Sequence, residues 1–500
     1  MMINQRQENM VTRVYGRIKQ SASSVFQGEN LKAKVFRGGA WLGGASFAEQ
    51  MARFARNMIL TRVLAPEAFG MMAIVMSAGS LIDTFTDIGI KDAIIQNPRG
   101  GEDRYLNAGW WMVVARGIVI YSLIFSLAPW LARFYGNPEL APLIRVALLS
   151  VLFYSFMSAG AYLGLKQMKF GKWATLYHGG GIFGVVTTVI LSFYIPNVWA
   201  LVIGYCAEAA GRCLLSYLLC PYLPRFRWNN DAGRDLFKFS RGLFGLSLLN
   251  LIFARADIFV LAKLYSAAEL GLYSMAVYLI QTPIGFLMGL LGQTLLPTLS
   301  QIQGDEGRVN RIFLQVTSLL VMLGMPAFVF VFFCGRSVLT LMYGHPYSAA
   351  AAPLIAASAV ALFNTLNGQI TSVFYARGLP QLHRTCVLIM AIAMIALIYP
   401  FAKWFGFVGA QLACLVSVLL GFLFQMARLR ALTRFDLSQF GKPLLLSGVI
   451  SVSAVAVCLC ARPFSIFASP VPNILIGTLG CLVAYGLGGA LFFRSEKGTA

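Results

Sequence analysis

Charged side chains are scarce in this sequence. Asp, Glu, Lys and Arg make up 12% of its 500 residues, about half of the share that is usual in soluble proteins. Only three His and nine Cys are present, too few and too scattered for a metal cage or a disulfide scaffold. Apolar residues reach 58%, more than a water-soluble fold can cover. These scarcities exclude a disordered chain and predict an integral membrane protein.

Long apolar segments recur along the chain, separated by short breaks that are rich in Pro, Gly or charge. A helical span needs about 20 such residues, and none of the segments alternates with the period of two that barrel strands show. We therefore expect an all-α polytopic membrane protein with about 14 transmembrane helices. The predicted spans lie near 38–60, 68–90, 106–131, 142–165, 173–195, 197–222, 242–262, 270–296, 312–335, 350–376, 385–402, 406–427, 443–461 and 471–493.

The basic residues are distributed unevenly between alternate loops. Residues 1–37 carry seven Lys or Arg and lack the apolar core of a signal peptide. An interfacial amphipathic helix and a flexible tail stay open for this segment. If it is cytoplasmic, 28 of the 40 basic residues lie on the same side of the membrane and 6 on the opposite side. This asymmetry follows the positive-inside rule, so we expect cytoplasmic N and C termini and no binding to nucleic acid.

An internal repeat divides the chain. In two places a basic residue at the end of one span is followed by a glycine in the next span. The first place has Arg62 and Gly70, and the second, 201 positions later, has Lys263 and Gly271. The turns YGNP and YGHP repeat with a similar offset of 208. Two ordered matches with nearly equal offsets predict two related halves.

The repeat predicts two six-helix halves around a central cavity, plus two additional C-terminal helices. Because both halves enter from the same side, they repeat in parallel, which is the plan of a transporter rather than of a channel or an enzyme. The predicted organisation is a cytoplasmic basic segment 1–37, a first half 38–222, a cytoplasmic linker 223–241, a second half 242–430, and two helices with a short tail in 431–500.

Four motifs resemble the polysaccharide transporter family of the multidrug/oligosaccharidyl-lipid/polysaccharide exporter superfamily. They are LAPEAFG at Leu64 to Gly70, TDIGIKDAIIQ at Thr86 to Gln96, the YGNP turn at Tyr135 to Pro138 and PTLSQIQ at Pro297 to Gln303, and the resemblance extends over about residues 38–493. It implies a flippase that moves undecaprenyl-diphosphate-linked oligosaccharide repeat units across the bacterial inner membrane by alternating access. Such movement serves exopolysaccharide, capsule or O-antigen synthesis.

The same resemblance implies a lipid-linked oligosaccharide as substrate, with a polysaccharide polymerase and a chain-length regulator as partners. A multidrug exporter, another ion-coupled exporter and a lipid II flippase of the same superfamily remain alternatives. A membrane enzyme is not expected, because the loops are short and hold few groups suited to acid–base catalysis. No cofactor is expected, and coupling to protons or sodium ions stays open.

Arginines inside the predicted spans are the candidate substrate ligands. Arg53 and Arg56 share a face of the first span, and Arg255 lies near the repeat-related position of the seventh. A guanidinium group keeps its charge in a low dielectric and binds phosphate oxygens in pairs, which suits a diphosphate. Arg116 is a further candidate, for which cavity lining and snorkelling stay open.

Four acidic residues within spans are candidates for ion coupling or for charge pairing. Glu49 precedes Arg53 by one turn, Asp83 and Asp87 lie one turn apart, and Asp257 follows Arg255 closely. Two carboxylates one turn apart repel each other, so a proton, a cation or a neighbouring arginine is needed to offset the charge. No metal site is expected.

Two further patterns have a structural interpretation. Glu208 and Arg212 are spaced as a helical ion pair. The run GGGIFG at 179–184 follows no strand and lies within an apolar span, so it does not indicate a nucleotide site.

Overall fold

A computed structural model describes four stretches of the chain and two single positions, namely 31–86, 89–225, 229–240, 244–433, 448 and 478. Residues 1–30 of the predicted basic segment and nearly all of the predicted spans 443–461 and 471–493 lie outside the described residues. Within the described stretches every regular element is a helix.

The described part of the predicted first half contains nine helices, and all except α6 begin or end close to a predicted break. They are α1 Leu31–Val63, α2 Pro66–Thr86, α3 Ile90–Gln96, α4 Asp103–Tyr135, α5 Leu140–Ala147, α6 Leu149–Ser155, α7 Gly160–Lys166, α8 Phe170–Tyr194 and α9 Val198–Leu219.

The remaining described helices lie in the predicted linker and the predicted second half. They are α10 Asn230–Ser240, α11 Phe244–Leu264, α12 Ala267–Gln301, α13 Glu306–Tyr343, a 3₁₀ helix His345–Ala350, α14 Ala351–Ala376 and α15 Pro380–Thr433.

Seven of the described helices are long and apolar enough to cross a membrane, and an eighth span results if one bent pair is counted. The chain is therefore a multi-pass membrane protein, as the composition predicts. The seven are Asp103–Tyr135, Phe170–Tyr194, Val198–Leu219, Ala267–Gly289, Glu306–Tyr343, His345–Ala376 and Pro380–Leu432.

The predicted span 142–165 is broken rather than continuous. It consists of α5, α6 and α7, and the axis bends by 60° between Leu140–Ser155 and Gly160–Lys166. The hydroxyl of Ser158 donates to the carbonyl of Cys220 at 2.6 Å, while the Ser158 amide donates to the hydroxyl of Ser216 at 2.9 Å. These contacts with α9 supply partners for the polar groups that the break exposes, as low-dielectric surroundings require.

Two predicted boundaries also differ from the structure. Helix α1 begins at Leu31 rather than near residue 38, and the predicted linker 223–241 contains helix α10. Lys and Arg favour helix nearly as well as Leu, so α1 can continue beyond the apolar span. In α10 a carboxylate oxygen of Asp235 accepts a hydrogen bond from the hydroxyl of Tyr105, at 2.8 Å, which joins this helix to α4.

Helix α15 contains both predicted spans 385–402 and 406–427. The backbone reverses at Gly406, where φ is +65° and ψ is −142°, a conformation that favours glycine. Met390 and Cys386 on the first arm lie against Gly421 on the second arm. The two arms therefore fold back on each other as a helical hairpin.

The two halves meet closely where α2 and α12 begin. A Cβ atom at Gly70 would lie 1.8 Å from the carbonyl oxygen of Ala267, and one at Gly271 would lie 1.8 Å from that of Pro66. Each contact is the copy of the other under the 201-residue offset of the repeat. One hydrophobic core surrounds this crossing and includes buried residues of both halves, among them Leu60.

We expect the substitution Gly271→Ala to lower the apparent melting temperature of the detergent-solubilised protein by several degrees. The new methyl group has no room against the Pro66 carbonyl, so the helices must separate and lose packing. Gly289→Ala, in the same helix, is the matched control because a Cβ there meets nothing within 4 Å. Equal melting temperatures for the two variants would contradict the crossing.

Candidate functional site

A central cavity of about 390 Å³ lies between the halves, directly inside the glycine crossing. The first half contributes α1, α2 and α9, and the second half contributes α11 and α12. Among its lining side chains five are charged, namely Arg53, Arg56, Glu208, Arg255 and Asp257. The three arginines exceed the two carboxylates, so the described lining carries a net positive charge.

A network of charged side chains joins α1, α8 and α9 beside this cavity. A guanidinium nitrogen of Arg53 lies 2.6 Å from carboxylate oxygens of both Glu49 and Glu208. Arg212 contacts Glu208 at 2.7 Å, which confirms the predicted helical pair, and reaches Glu49 at 3.5 Å. Nδ1 of His178 lies 2.5 Å from the second oxygen of Glu49. The two arginines and two glutamates balance in charge, which offsets the cost of their burial.

Helix α8 makes room for this network through its glycines. A Cβ at Gly180 would meet the Arg212 side chain at 2.3 Å, and one at Gly181 would meet Oε1 of Glu49 at 2.1 Å. At Gly184 the side chain of Glu208 occupies the equivalent space. The run at 179–184 is thus a smooth helix surface against which the charged groups pack.

Arg56 and Arg255 are held differently from Arg53. The Arg56 guanidinium donates to the side-chain oxygen of Asn57 at 3.1 Å, from both Nε and a terminal nitrogen. Neither Arg56 nor Arg255 lies within 4 Å of a carboxylate in the part of the chain that the structure describes. The two arginines come from opposite halves, and both face the same cavity.

Asp257 is held by the second half. One of its carboxylate oxygens accepts from the Tyr273 hydroxyl at 2.7 Å, and the other accepts from the backbone amide of Ile258 at 2.8 Å. Gln411 in turn donates its side-chain amide to the Tyr273 oxygen. This chain joins α11, α12 and α15, so Asp257 lines the cavity with its carboxylate already hydrogen-bonded.

Each half contains a second cavity. The first-half cavity measures about 490 Å³ and is lined by the predicted candidate Arg116, while the second-half cavity measures about 590 Å³. Tyr205 lines both the central and the first-half cavity, and Arg255 lines both the central and the second-half cavity. The central cavity therefore borders both the first-half and the second-half cavity.

The structure brings together five of the candidate residues and leaves others apart. Arg53, Arg56, Arg255 and Asp257 line the central cavity, and Glu49 lies behind it in the charged network. Arg116 lines the separate first-half cavity.

The structure describes no side chain for two acidic candidates. Asp83 belongs to α2, and Asp87 lies outside the described residues. Ion coupling through these groups, or through Glu49 or Asp257, stays a prediction. The described residues contain no cluster of three His, Cys, Asp or Glu that could hold a metal ion.

Sequence reasoning did not assign His178 or the glycine run to this site. The sequence did offer a signal for a polar role of this segment. His178 directly precedes the glycines and is one of only three His in the chain. Its partner Glu49 is 129 residues away, so only the fold joins them.

Comparison with known proteins gives a consistent family. A family sequence model described as "Polysaccharide biosynthesis protein" matches residues 59–352. The chain is 23% identical to the lipopolysaccharide biosynthesis protein WzxC of Escherichia coli K12, over 79% of each chain. It is 25% identical to the succinoglycan biosynthesis transport protein ExoT of Rhizobium meliloti, over 54% of this chain and 55% of ExoT.

Solved structures share the fold at lower identity. The lipid II flippase MurJ in an inward closed conformation superposes with a TM-score of 0.74 at 15% identity, covering 91% of this chain and 99% of MurJ. An inward-facing multidrug resistance transporter of the MATE family gives a TM-score of 0.59 at 14% identity, over 78% and 96%. These likenesses show a shared fold, whereas the family model confirms the family that the sequence motifs indicate.

We expect Glu208→Gln to destabilise the protein strongly, because Arg53 and Arg212 would each lose a carboxylate in a buried site. Breaking a buried pair by removing one partner costs about 3–5 kcal/mol. The measurement is the apparent melting temperature of Glu208→Gln, Arg212→Gln and the double variant, combined as a double-mutant cycle. The double variant should lose less than the sum of the single losses.

Glu102→Gln is the matched control for this cycle. Glu102 and Arg104 form an equally short ion pair of 2.6 Å, but both side chains are more than 40% exposed. Exposed pairs contribute roughly 0–1 kcal/mol, so this variant should melt close to wild type. A strictly additive cycle at Glu208 and Arg212 would show that the buried network does not act as a unit.

Proposed function

The chain belongs to the polysaccharide biosynthesis protein family, and from this membership we propose that it flips a lipid-linked oligosaccharide. The substrate is an undecaprenyl-diphosphate-linked repeat unit, and the membrane is the bacterial inner membrane. The relatives WzxC and ExoT, named for lipopolysaccharide and succinoglycan biosynthesis, support a role in polymer export. A polysaccharide polymerase and a chain-length regulator would use the flipped product.

The observation that carries the proposal is the pair Arg56 and Arg255 in the central cavity. Both are partly buried arginines without a carboxylate partner in the described structure, and they come from the two halves that must move relative to each other. A diphosphate needs neutralisation to pass through a low-dielectric region, and guanidinium groups supply it with bidentate geometry. Arg53, already bound by two glutamates, orients the helix that carries Arg56.

The cavity charge favours anionic cargo over a cationic drug. A multidrug exporter of the same superfamily would need uncompensated carboxylates to bind cations. Here Glu208 is shared by two arginines, and Asp257 accepts hydrogen bonds from Tyr273 and the backbone. A lipid II flippase would use the same diphosphate chemistry, so the glycan decides between these two functions.

Alternating access requires a closure that can open, and a symmetric set of hydrogen bonds between the halves suits this role. Arg62 of α1 donates to the carbonyls of Leu341 and Met342 in the last turn of α13, at 2.8 and 3.1 Å. Lys263 of α11 donates to the carbonyl of Phe134 in the last turn of α4. Each half thus uses a basic side chain to bind the helix end of the other half, where carbonyl groups lack helical partners.

We name the contacts of Arg62 and Lys263 the paired latch. The two donors are 201 residues apart, and Phe134 and Met342 are 208 apart, so the latch follows both offsets of the repeat. It lies beside the glycine crossing, on the side that the distribution of basic residues predicts to be periplasmic. Opening the cavity toward that side requires both latch contacts to break.

The test of the substrate site compares Arg56→Ala, Arg255→Ala and Arg145→Ala in a strain that lacks the chromosomal gene. We expect the first two to lose polymer export, because the diphosphate loses a charge partner while membrane insertion continues. Undecaprenyl-diphosphate oligosaccharide should accumulate on the inner leaflet. Arg53→Ala should also lose export, with lower protein stability because Glu49 and Glu208 lose a partner.

Arg145→Ala is the matched control for charge loss. Arg145 stacks on Phe125 at 4.2 Å and donates to its carbonyl, and it lines none of the three cavities. Full export by the Arg53, Arg56 and Arg255 variants would refute the site.

The test of the paired latch is the double variant Arg62→Ala, Lys263→Ala. We expect it to favour the state open to the periplasm, because interactions of this kind contribute about 0.3–1 kcal/mol each at helix ends. Ser274 lines the central cavity, so Ser274→Cys in an otherwise cysteine-free protein provides a labelling site there. The measurement is the rate at which a membrane-impermeant maleimide, added on the periplasmic side, labels this cysteine. Labelling should rise several-fold, and Arg62→Lys, Lys263→Arg should restore the low rate. An unchanged rate would show that the latch does not hold the closure.

A further inference from the structure

The first-half cavity has an aromatic lining that the diphosphate does not require. Tyr154, Tyr162, Trp173, Tyr177 and Tyr205 all line this space of about 490 Å³. They come from α6, α7, α8 and α9, so the fold collects rings from four helices around one cavity. A volume of this size is within the range of small-molecule sites.

Two of the rings form an ordered platform. Trp173 and Tyr177 lie one turn apart on α8 and stack with their centroids 5.9 Å apart and their planes inclined by 17°. The Arg212 guanidinium lies over the Tyr177 ring, 3.7 Å from the ring centroid, and it also lines the cavity. Arg212 also donates to the backbone carbonyl of Tyr177 and to the hydroxyl of Tyr154.

The charged network therefore positions this platform. Arg212 is buried, and its charge is offset by Glu208, so it acts here as a rigid support. The rings share the lining with polar side chains such as Ser80 and Ser150, and with the basic side chains of Lys91, Arg116 and Arg212. Aromatic faces beside polar groups suit a pyranose ring, because its C–H faces are apolar and its rim carries hydroxyls.

The second-half cavity has a different lining. Phe253 and His383 are its ring side chains, and amides such as Asn364 and Gln411 alternate with Met and aliphatic groups. Both cavities border the central one, but the first-half cavity has more aromatic side chains in its lining than the second-half cavity. Tyr205 stands at the boundary between the first-half cavity and the cationic central cavity.

We propose that the first-half cavity is the glycan subsite, where a sugar ring of the lipid-linked oligosaccharide stacks on Trp173 and Tyr177. The proposal rests on the proposed function and deepens it. With the diphosphate between Arg56 and Arg255, the adjoining sugar passes Tyr205 and enters the aromatic cavity. The lipid chain stays outside both cavities.

The experiment measures binding of two probes to the purified full chain in lipid nanodiscs. The probes are undecaprenyl diphosphate without sugar and the undecaprenyl-diphosphate oligosaccharide extracted from the deletion strain. Wild type should bind the sugar-bearing lipid more tightly. Trp173→Ala should weaken binding of this lipid by about tenfold, as expected for loss of a stacked ring, and leave undecaprenyl diphosphate within about twofold.

Two variants serve as controls. Trp173→Phe keeps a ring and should restore most of the preference for the sugar-bearing lipid. Trp130→Ala removes a tryptophan that also stacks with its neighbour at 5.9 Å but lines none of the three cavities, so it should bind both probes like wild type.

The outcomes separate the subsite from the proposed function. The subsite is refuted if wild type binds both probes equally, or if Trp173→Ala and Tyr177→Ala keep the preference for the sugar-bearing lipid. It is also refuted if these variants lose both probes to the same degree, because the rings would then be structural. Failure of wild type to bind either probe would instead refute the proposed function itself.

Discussion

The close approach of α2 and α12 at Gly70 and Gly271 is the constraint on which the rest of the arrangement depends. Because neither residue has a side chain, each helix comes within contact of the other's first-turn carbonyl. From this crossing the same two helices continue along the central cavity, with Phe69 and Ser274 among its lining residues. The position of the cavity at the interface of the halves therefore follows from one pair of glycines.

The low dielectric of the membrane makes the charge balance around the cavity decisive. An unpaired buried charge costs several kcal/mol, so charges that are not needed for function should be paired. Arg53 and Arg212 share Glu49 and Glu208, and this set of four is neutral. What remains is an excess of positive charge that faces the cavity, and this excess suits the anionic ligand that we propose.

The sequence predicted the membrane class, most of the helix positions and the repeat that relates Gly70 to Gly271. These features are encoded locally, by apolar segment length and by a fixed offset along the chain. The break within 142–165 and the contact between Glu49 and His178 depend on which helices become neighbours, and no local pattern encodes that. Arg53 shows how far local spacing can predict contacts. Its spacing from Glu49 predicts a pair, whereas its contact with Glu208 depends on how the helices pack in the fold.

Under the proposed function, the location of the arginines gives the substrate a way to control the movement of the halves. Arg56 belongs to the first half and Arg255 to the second, and two guanidinium groups that face one cavity repel each other. A diphosphate between them replaces this repulsion with attraction to both, so it binds most tightly when the halves are close. Because a ligand shifts an equilibrium only by its differential affinity, such an anion favours the closed arrangement over either open one. Under the proposed function, diphosphate binding and closure of the cavity are coupled through these two arginines.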